Sequence, residues 1–149
     1  MSEHHAKISW RRTSQDYTYM TYNRAHEWQF TAVTVPASAA KEYRGDPDRL
    51  NPEDALVAAL SSCHMLTFLA IAAKRKAPLE SYTDDAVGIL EKNEAGRLAI
   101  TRVTLRPKIV WSAGVTVSSE DLEKMHHEAH EGCFIANSVT TKVTVEQQP

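Results

Sequence analysis

Asn51-Pro52-Glu53-Asp54-Ala55-Leu56-Val57-Ala58-Ala59-Leu60-Ser61-Ser62-Cys63-His64-Met65-Leu66-Thr67-Phe68-Leu69-Ala70-Ile71-Ala72-Ala73 carries the strongest helix signal in the chain. Asn51 is a good N-cap, and Pro52 suits the first helical position. Glu53 and Asp54 put negative charge where the helix dipole favours it. Lys74-Arg75-Lys76 closes the helix with favourable charge and Pro78 stops it. The spacing therefore predicts a helix from Pro52 to about Ala73. Its apolar residues lie all round rather than on one stripe, which predicts burial on most sides. It is read as the central core element, with Cys63 in its middle.

Upstream, Ile8-Ser9-Trp10-Arg11-Arg12 and Tyr17-Thr18-Tyr19-Met20-Thr21-Tyr22 are rich in β-branched and aromatic residues, and Trp28 to Val35 alternates with period two. These read as three strands, with a turn at Asn23-Arg24-Ala25-His26. Residues 36–51 read as a long loop, and loops of that length are usually functional. Downstream come two longer strands, about Thr83 to Glu91 and Leu98 to Trp111, joined by a hairpin at Asn93-Glu94-Ala95-Gly96. A short polar helix follows over Glu120 to Glu131, then a last strand near Val139 to Glu146. The order β-β-β-α-β-β-α-β predicts an α+β fold with mainly antiparallel sheet.

A chain of 149 residues is long enough for a core without staples and fits a single domain over 1–149. Lys and Arg number 17 against 19 Asp and Glu, a net charge of −2, which argues against a nucleic-acid binder working through a basic face. Ser61, Ser62, His64 and Thr67 interrupt residues 55–73 and argue against a membrane span. Met1-Ser2-Glu3-His4-His5 lacks the basic and apolar regions of a signal peptide, so a soluble, cytoplasmic chain is expected.

In a reducing compartment Cys63 and Cys133 are not expected to form a permanent bridge. They are inert core residues, metal ligands or redox-active thiols. A reactive thiol needs partial access and a cationic or hydrogen-bonding neighbour. Arg44 and Arg49, in the loop before the helix, are candidates for that neighbour. His126, His130 and Cys133 are spaced i, i+4, i+7, a pattern suited to zinc or copper, although Gly132 is expected to unwind the helix before Cys133.

Asn51-Pro52-Glu53-Asp54-Ala55-Leu56 followed by Ala58-Ala59-Leu60-Ser61-Ser62-Cys63 resembles the segment carrying the first cysteine of the OsmC/Ohr family, the osmotically inducible and organic hydroperoxide resistance proteins. Ala129-His130-Glu131-Gly132-Cys133 falls at the family's distance for a second cysteine. Glu42-Tyr43-Arg44-Gly45 makes the resemblance closer to the OsmC-like branch. The resemblance implies an OsmC-like fold with antiparallel sheets around the long helix, in an intertwined homodimer. It also implies a thiol-dependent peroxidase of oxidative stress defence, without metal, haem or other cofactor. Organic hydroperoxides are the implied substrates, hydrogen peroxide a poorer one, and a small dithiol or lipoylated protein the reductant.

Carried over residue by residue, Cys63 corresponds to the peroxidatic nucleophile, Cys133 to the resolving thiol and Glu53 to the family's acidic partner. Arg44 matches the arginine of the OsmC branch, whereas Arg24 lies nearer the position used in the Ohr branch. The chemistry suits these residue types: an arginine lowers a thiol's pKa and orients a peroxide at any working pH, and a carboxylate holds the guanidinium. Attack gives a sulfenic acid, which a second thiol converts to a disulfide and an external dithiol resets. Ten residues of helix separate Glu53 from Cys63 by about 15 Å. A shared site therefore needs an arginine between them or a second protomer. His64 and Phe134 depart from the family pattern, which usually has Phe and Pro there. A non-enzymatic redox-sensing or ligand-binding relative is the alternative reading.

Overall fold

The computed structural model describes residues 1–149. The chain divides into two compact units, Met1–Ala55 and Leu56–Pro149. The first holds a three-stranded antiparallel sheet, β1 (Lys7–Ser9), β2 (His26–Gln29) and β3 (Thr34–Ala37). Trp28 pairs with Ile8 on one side and Val35 on the other. The period-two stretch from Trp28 to Val35 is not one strand but two. It reverses at residues 30–33, where Phe30 N–H donates to Val33 O at 2.8 Å. The expected strand at Tyr17 to Tyr22 is a turn. Thr18 and Thr21 satisfy one another, with Thr18 N–H donating to Thr21 Oγ1 and Tyr22 N–H to Thr18 O. Such local bonds compete with a sheet ladder and here displace it.

The long loop is ordered by its own backbone. Ser38 N–H donates to Leu50 O and Leu50 N–H to Pro36 O, tying its two ends. Between them a 3₁₀ turn, Lys41–Tyr43, ends on Arg44 with φ +62°. Gly45 then passes so close to Ala39 that an added Cβ would lie 1.6 Å from the Ala39 oxygen, so only glycine fits.

Helix α1 (Pro52–Lys74) begins as the caps predict. Asn51 Oδ1 accepts from Asp54 N–H at 2.8 Å, while Asn51 Nδ2 reaches back to the Asp54 carboxylate. It ends with Lys76 N–H bonded to Ala73 O and Ala77 N–H to Ala72 O, around Lys76 at φ +56°, where glycine is the usual residue. In the second unit follow β4 (Leu79–Asp84), β5 (Val87–Lys92), β6 (Leu98–Leu105), β7 (Pro107–Trp111), α2 (Ser119–Glu131) and β8 (Lys142–Val145). Each of the two longer expected strands is broken in two at the same corner. Asp84 Oδ1 accepts from Arg106 N–H, and Pro107 offers no N–H to continue a ladder. Thus β4 pairs with β7, and β5 with β6, both antiparallel. β8 pairs with β6 in parallel, an exception to the expected antiparallel pairing.

The helix differs from its sequence reading. Within the chain its buried residues are Leu60, His64, Phe68 and Ala72, a single stripe at i+4 spacing. Its mean hydropathy reaches 1.9 over 18 residues, so length and composition alone would also fit a membrane span. The weakly polar Ser and Thr residues do not offset its many alanines and leucines. What distinguishes α1 is that its core stripe carries a hydrogen-bonded histidine. Phe68 and Ala72 pack on Met125 and Ala129 of α2, with Leu79, Tyr82, Ile109 and Trp111 around them. Leu60 packs on Val103 and Leu105 of β6, and burying such a side chain fully contributes about 2–3 kcal/mol. This stripe, seated on α2 and β6, is what sets the rotation of α1 and so the direction in which Cys63 points.

Candidate functional site

Cys63 projects from the middle of α1 and is half-buried, while Cys133 follows α2 and is buried; both thiols are free. Although 70 residues apart in sequence, the two thiols are near enough for Cys63 to perturb the titration of Cys133. The approach has a local cause. Gly132 closes α2 so near α1 that a Cβ there would lie 3.0 Å from Thr67 Cγ2. Thr67, one helical turn past Cys63, donates its hydroxyl to Cys63 O at 2.9 Å. Cys133 then enters a tight turn in which Ala136 N–H donates to its sulfur at 3.4 Å and Asn137 N–H to its carbonyl.

Burial, and then the neighbouring Cys63 thiol, push the Cys133 pKa up; the Ala136 and Ile135 N–H groups oppose this only in part. The pair is therefore asymmetric, with one cysteine partly exposed and the other kept as a buried thiol. Ala59 and Leu66, at i−4 and i+3 from Cys63, are exposed, and Phe134 beside Cys133 is 82% exposed. Apolar surface thus borders the partly exposed cysteine.

His64 follows Cys63 on α1 and faces the core. It is 1% exposed, and its ring lies near-parallel to that of His126 of α2, with Nε2 3.0 Å from His126 Nδ1. The network fixes the tautomers. Gln147 donates Nε2–H to Gln148 O, which turns its Oε1 toward His126 Nε2 at 2.9 Å. His126 Nε2 must carry the proton, its Nδ1 accepts from His64 Nε2–H, and His64 Nδ1 is left a bare, buried lone pair without a partner. Burial first, then His126 and His130, lower the His64 pKa to about 4. Two residues before Cys63, Ser61 donates to Asp84 at 2.5 Å, pinning α1 to the sheet corner. His64 shares the 60, 64, 68, 72 stripe, an i+4 spacing that the all-round reading of the helix overlooked. His126 and His130 do not combine with Cys133 as a cation site: no three His, Cys, Asp or Glu side chains are placed to hold one ion.

Within the first unit, Arg24 is engaged. Its Nη1 and Nη2 donate to Tyr22 O and Tyr19 O, and its guanidinium sits 4.0 Å over the Tyr22 ring. Arg49 pairs with Asp46. Arg44 is exposed and Glu53 half-buried, and neither takes part in any ion pair.

The model of OsmC-like proteins matches residues 45–148, a span that holds both cysteines. The chain belongs to the OsmC-like protein family. An OsmC-like protein of unknown function from Vibrio cholerae is 49% identical over 99% of this chain and 100% of that one, with a TM-score of 0.95. Organic hydroperoxide resistance proteins share the fold at lower identity. The OsmC protein of Legionella pneumophila is 20% identical, covering 93% and 95% of the two chains, with a TM-score of 0.65. OhrB of Bacillus subtilis is 17% identical, covering 97% and 98%, with a TM-score of 0.67. No curated protein matches this OsmC-like chain.

Proposed function

We propose that this OsmC-like protein is a thiol-dependent peroxidase that reduces organic hydroperoxides through Cys63 and Cys133. The observation that carries the reading is the juxtaposition of one half-exposed and one buried free thiol. Cys63, as thiolate, attacks the terminal oxygen of ROOH. An S–O bond forms, the O–O bond breaks, and the alkoxide takes a proton and leaves as alcohol. The Cys133 sulfur then attacks the Cys63 sulfenic acid, the S–S bond forms and water departs. A dithiol reductant, a small molecule or a lipoylated protein, returns both thiols by exchange. In the cytoplasm such reductants keep the resting pair reduced. The exposed Phe134 beside Cys133 supports an alkyl-bearing substrate over hydrogen peroxide.

Arg44 is the proposed activating cation and Glu53 the carboxylate that orients it. The support is that both are uncommitted within the chain, whereas Arg24 already donates to two carbonyls. The active form is proposed to be a homodimer whose second copy covers the open sides of α1, where Leu66 is 60% exposed. The test is consumption of cumene hydroperoxide and of hydrogen peroxide with a dithiol reductant, by the wild type and Cys63→Ser. Turnover that prefers the organic peroxide and vanishes in Cys63→Ser supports the assignment. Turnover retained in Cys63→Ser, or none in the wild type, overturns it.

A further inference from the structure

Three groups outside the thiols join the elements that carry them. His64 follows Cys63 on α1, His126 lies on α2 ahead of Cys133, and Gln147 belongs to the tail beyond β8. The hydrogen bonds run one way, from His64 Nε2–H to His126 Nδ1 and from His126 Nε2–H to Gln147 Oε1. His126 is held on its face as well, against Phe68 with ring centroids 4.6 Å apart. Most contacts between α1 and α2 are apolar and non-directional, formed by Phe68, Ala72, Met125 and Ala129. The histidine pair is different in kind. A hydrogen bond between two buried rings fixes both the rotation of α1 and the axial position of α2, because imidazole geometry tolerates little misalignment. A buried polar contact of this sort specifies register more than it adds stability.

We infer that the His64–His126–Gln147 chain is a positioning device that holds Cys133 in register with Cys63 for disulfide formation. The inference rests on the two-thiol cycle proposed above. Its physical content is effective concentration: thiols preset close to one another bridge more readily than thiols whose supporting helices slide or rotate. His64 and His126 touch no reacting atom in this scheme. They act through the placement of α1 and α2.

The equilibrium between the dithiol and the disulfide, measured in dithiothreitol redox buffers, reads this quantity without any peroxide. Three variants are compared with the wild type after circular dichroism shows them folded. His64→Phe keeps a ring of similar size and loses the donor. Gln147→Leu removes the outer acceptor from an exposed position. His64→Gln retains an N–H donor. The expected result is a loss of about tenfold in the disulfide equilibrium constant for His64→Phe, about 30 mV for a two-electron couple. Gln147→Leu shifts the same way by a smaller factor, and His64→Gln recovers most of the constant. A purely structural role would lower melting temperature in all three without this ordering. If folded His64→Phe and Gln147→Leu both stay within twofold of the wild type, the inference is wrong while the cycle stands. If the wild type forms no Cys63–Cys133 bridge in any buffer, the cycle itself fails, and the inference with it.

Discussion

The sharpest consequence of the buried histidine pair is a dependence of stability on acid. Burial, with His126 and His130 as neighbours, takes the His64 pKa from 6.5 down to about 4. Burial also lowers that of His126, against the opposing effects of its Gln147 bond and of Asp84. At pH 5 the unfolded chain holds a proton on residue 64 and the folded chain does not, so acid favours unfolding. The contribution of His64 is complete above about pH 7, is lost as pH falls from 6.5 toward 4, and is constant below. Each step of one pH unit inside that window removes about 1.4 kcal/mol, so roughly 2 kcal/mol is gone by pH 5 and roughly 3 kcal/mol below pH 4. His126 adds to this with the same sign. Urea unfolding at pH 7.5 and pH 5.0 measures it: with a slope of about 2 kcal/mol per molar, the midpoint falls by about 1 M.

The matched variant is His64→Phe. It leaves His126 Nδ1 without a donor and starts lower at pH 7.5 by about 1–3 kcal/mol. The slope carries the test, since the variant's own loss between the two pH values should be smaller by about 2 kcal/mol. An equal loss in wild type and His64→Phe would refute the claim that His64 is buried neutral.

Three further outcomes follow from the same geometry. Cys133→Ser should consume one equivalent of hydroperoxide to form the Cys63 sulfenic acid and a second to form the sulfinic acid, seen by mass spectrometry as a gain of two oxygen atoms; sustained turnover with dithiol would remove Cys133 from the cycle. Arg44→Ala should lower kcat/KM for cumene hydroperoxide by roughly 10- to 100-fold, the worth of a charge-assisted hydrogen bond of about 1.5–3 kcal/mol. A larger loss in Arg24→Ala than in Arg44→Ala would transfer the role to Arg24. Ser118→Ala, which deletes the oxygen accepting Asp121 N–H at the start of α2, should cost about 1 kcal/mol in urea unfolding and leave the disulfide equilibrium unchanged.

What the sequence revealed follows the range of the interactions involved. Both helices were legible because their caps are local: Asn51 with Asp54, and Ser118 with Asp121, lie within one turn. Cys63 and Cys133 were legible because chemistry-bearing residues stand out by type. The corner at Asp84 and Arg106 was hidden, because a carboxylate 22 residues away decides where the two expected strands must break. The parallel pairing of β8 with β6 is likewise a choice of partner that alternation does not encode. Tyr17 to Tyr22 had strand composition, but composition competes with side-chain bonds available within three residues, and those won. The burial of His64 was hidden as well. The helix reads as apolar all round, so the Leu60–Phe68–Ala72 stripe that buries this histidine was missed, and its partner lies 62 residues on.

The placement of arginines bears on how the peroxidatic role proposed for Cys63 would be served. A resolving thiol must be close, and a cation must be free. The second unit supplies the first through Thr67, Gly132 and the turn at Ala136. It is poorly equipped for the second. Of its four arginines, Arg75 is paired with Glu128, Arg102 with Glu91 and Arg106 with Glu146, and Arg97 flanks the hairpin between β5 and β6. Recruiting a paired arginine would forfeit its existing partner, whereas Arg44 has none to lose. The backbone reinforces the point. Arg44 occupies a left-handed conformation, and the following Gly45 is wedged against Ala39, so the turn that presents the guanidinium is sterically set. A non-glycine residue held at positive φ costs about 1 kcal/mol or more. Gly45→Ala should therefore impair peroxide reduction through Arg44 while leaving the Cys63–Cys133 disulfide equilibrium intact. Loss of both together would show that activation and resolution are not separately built.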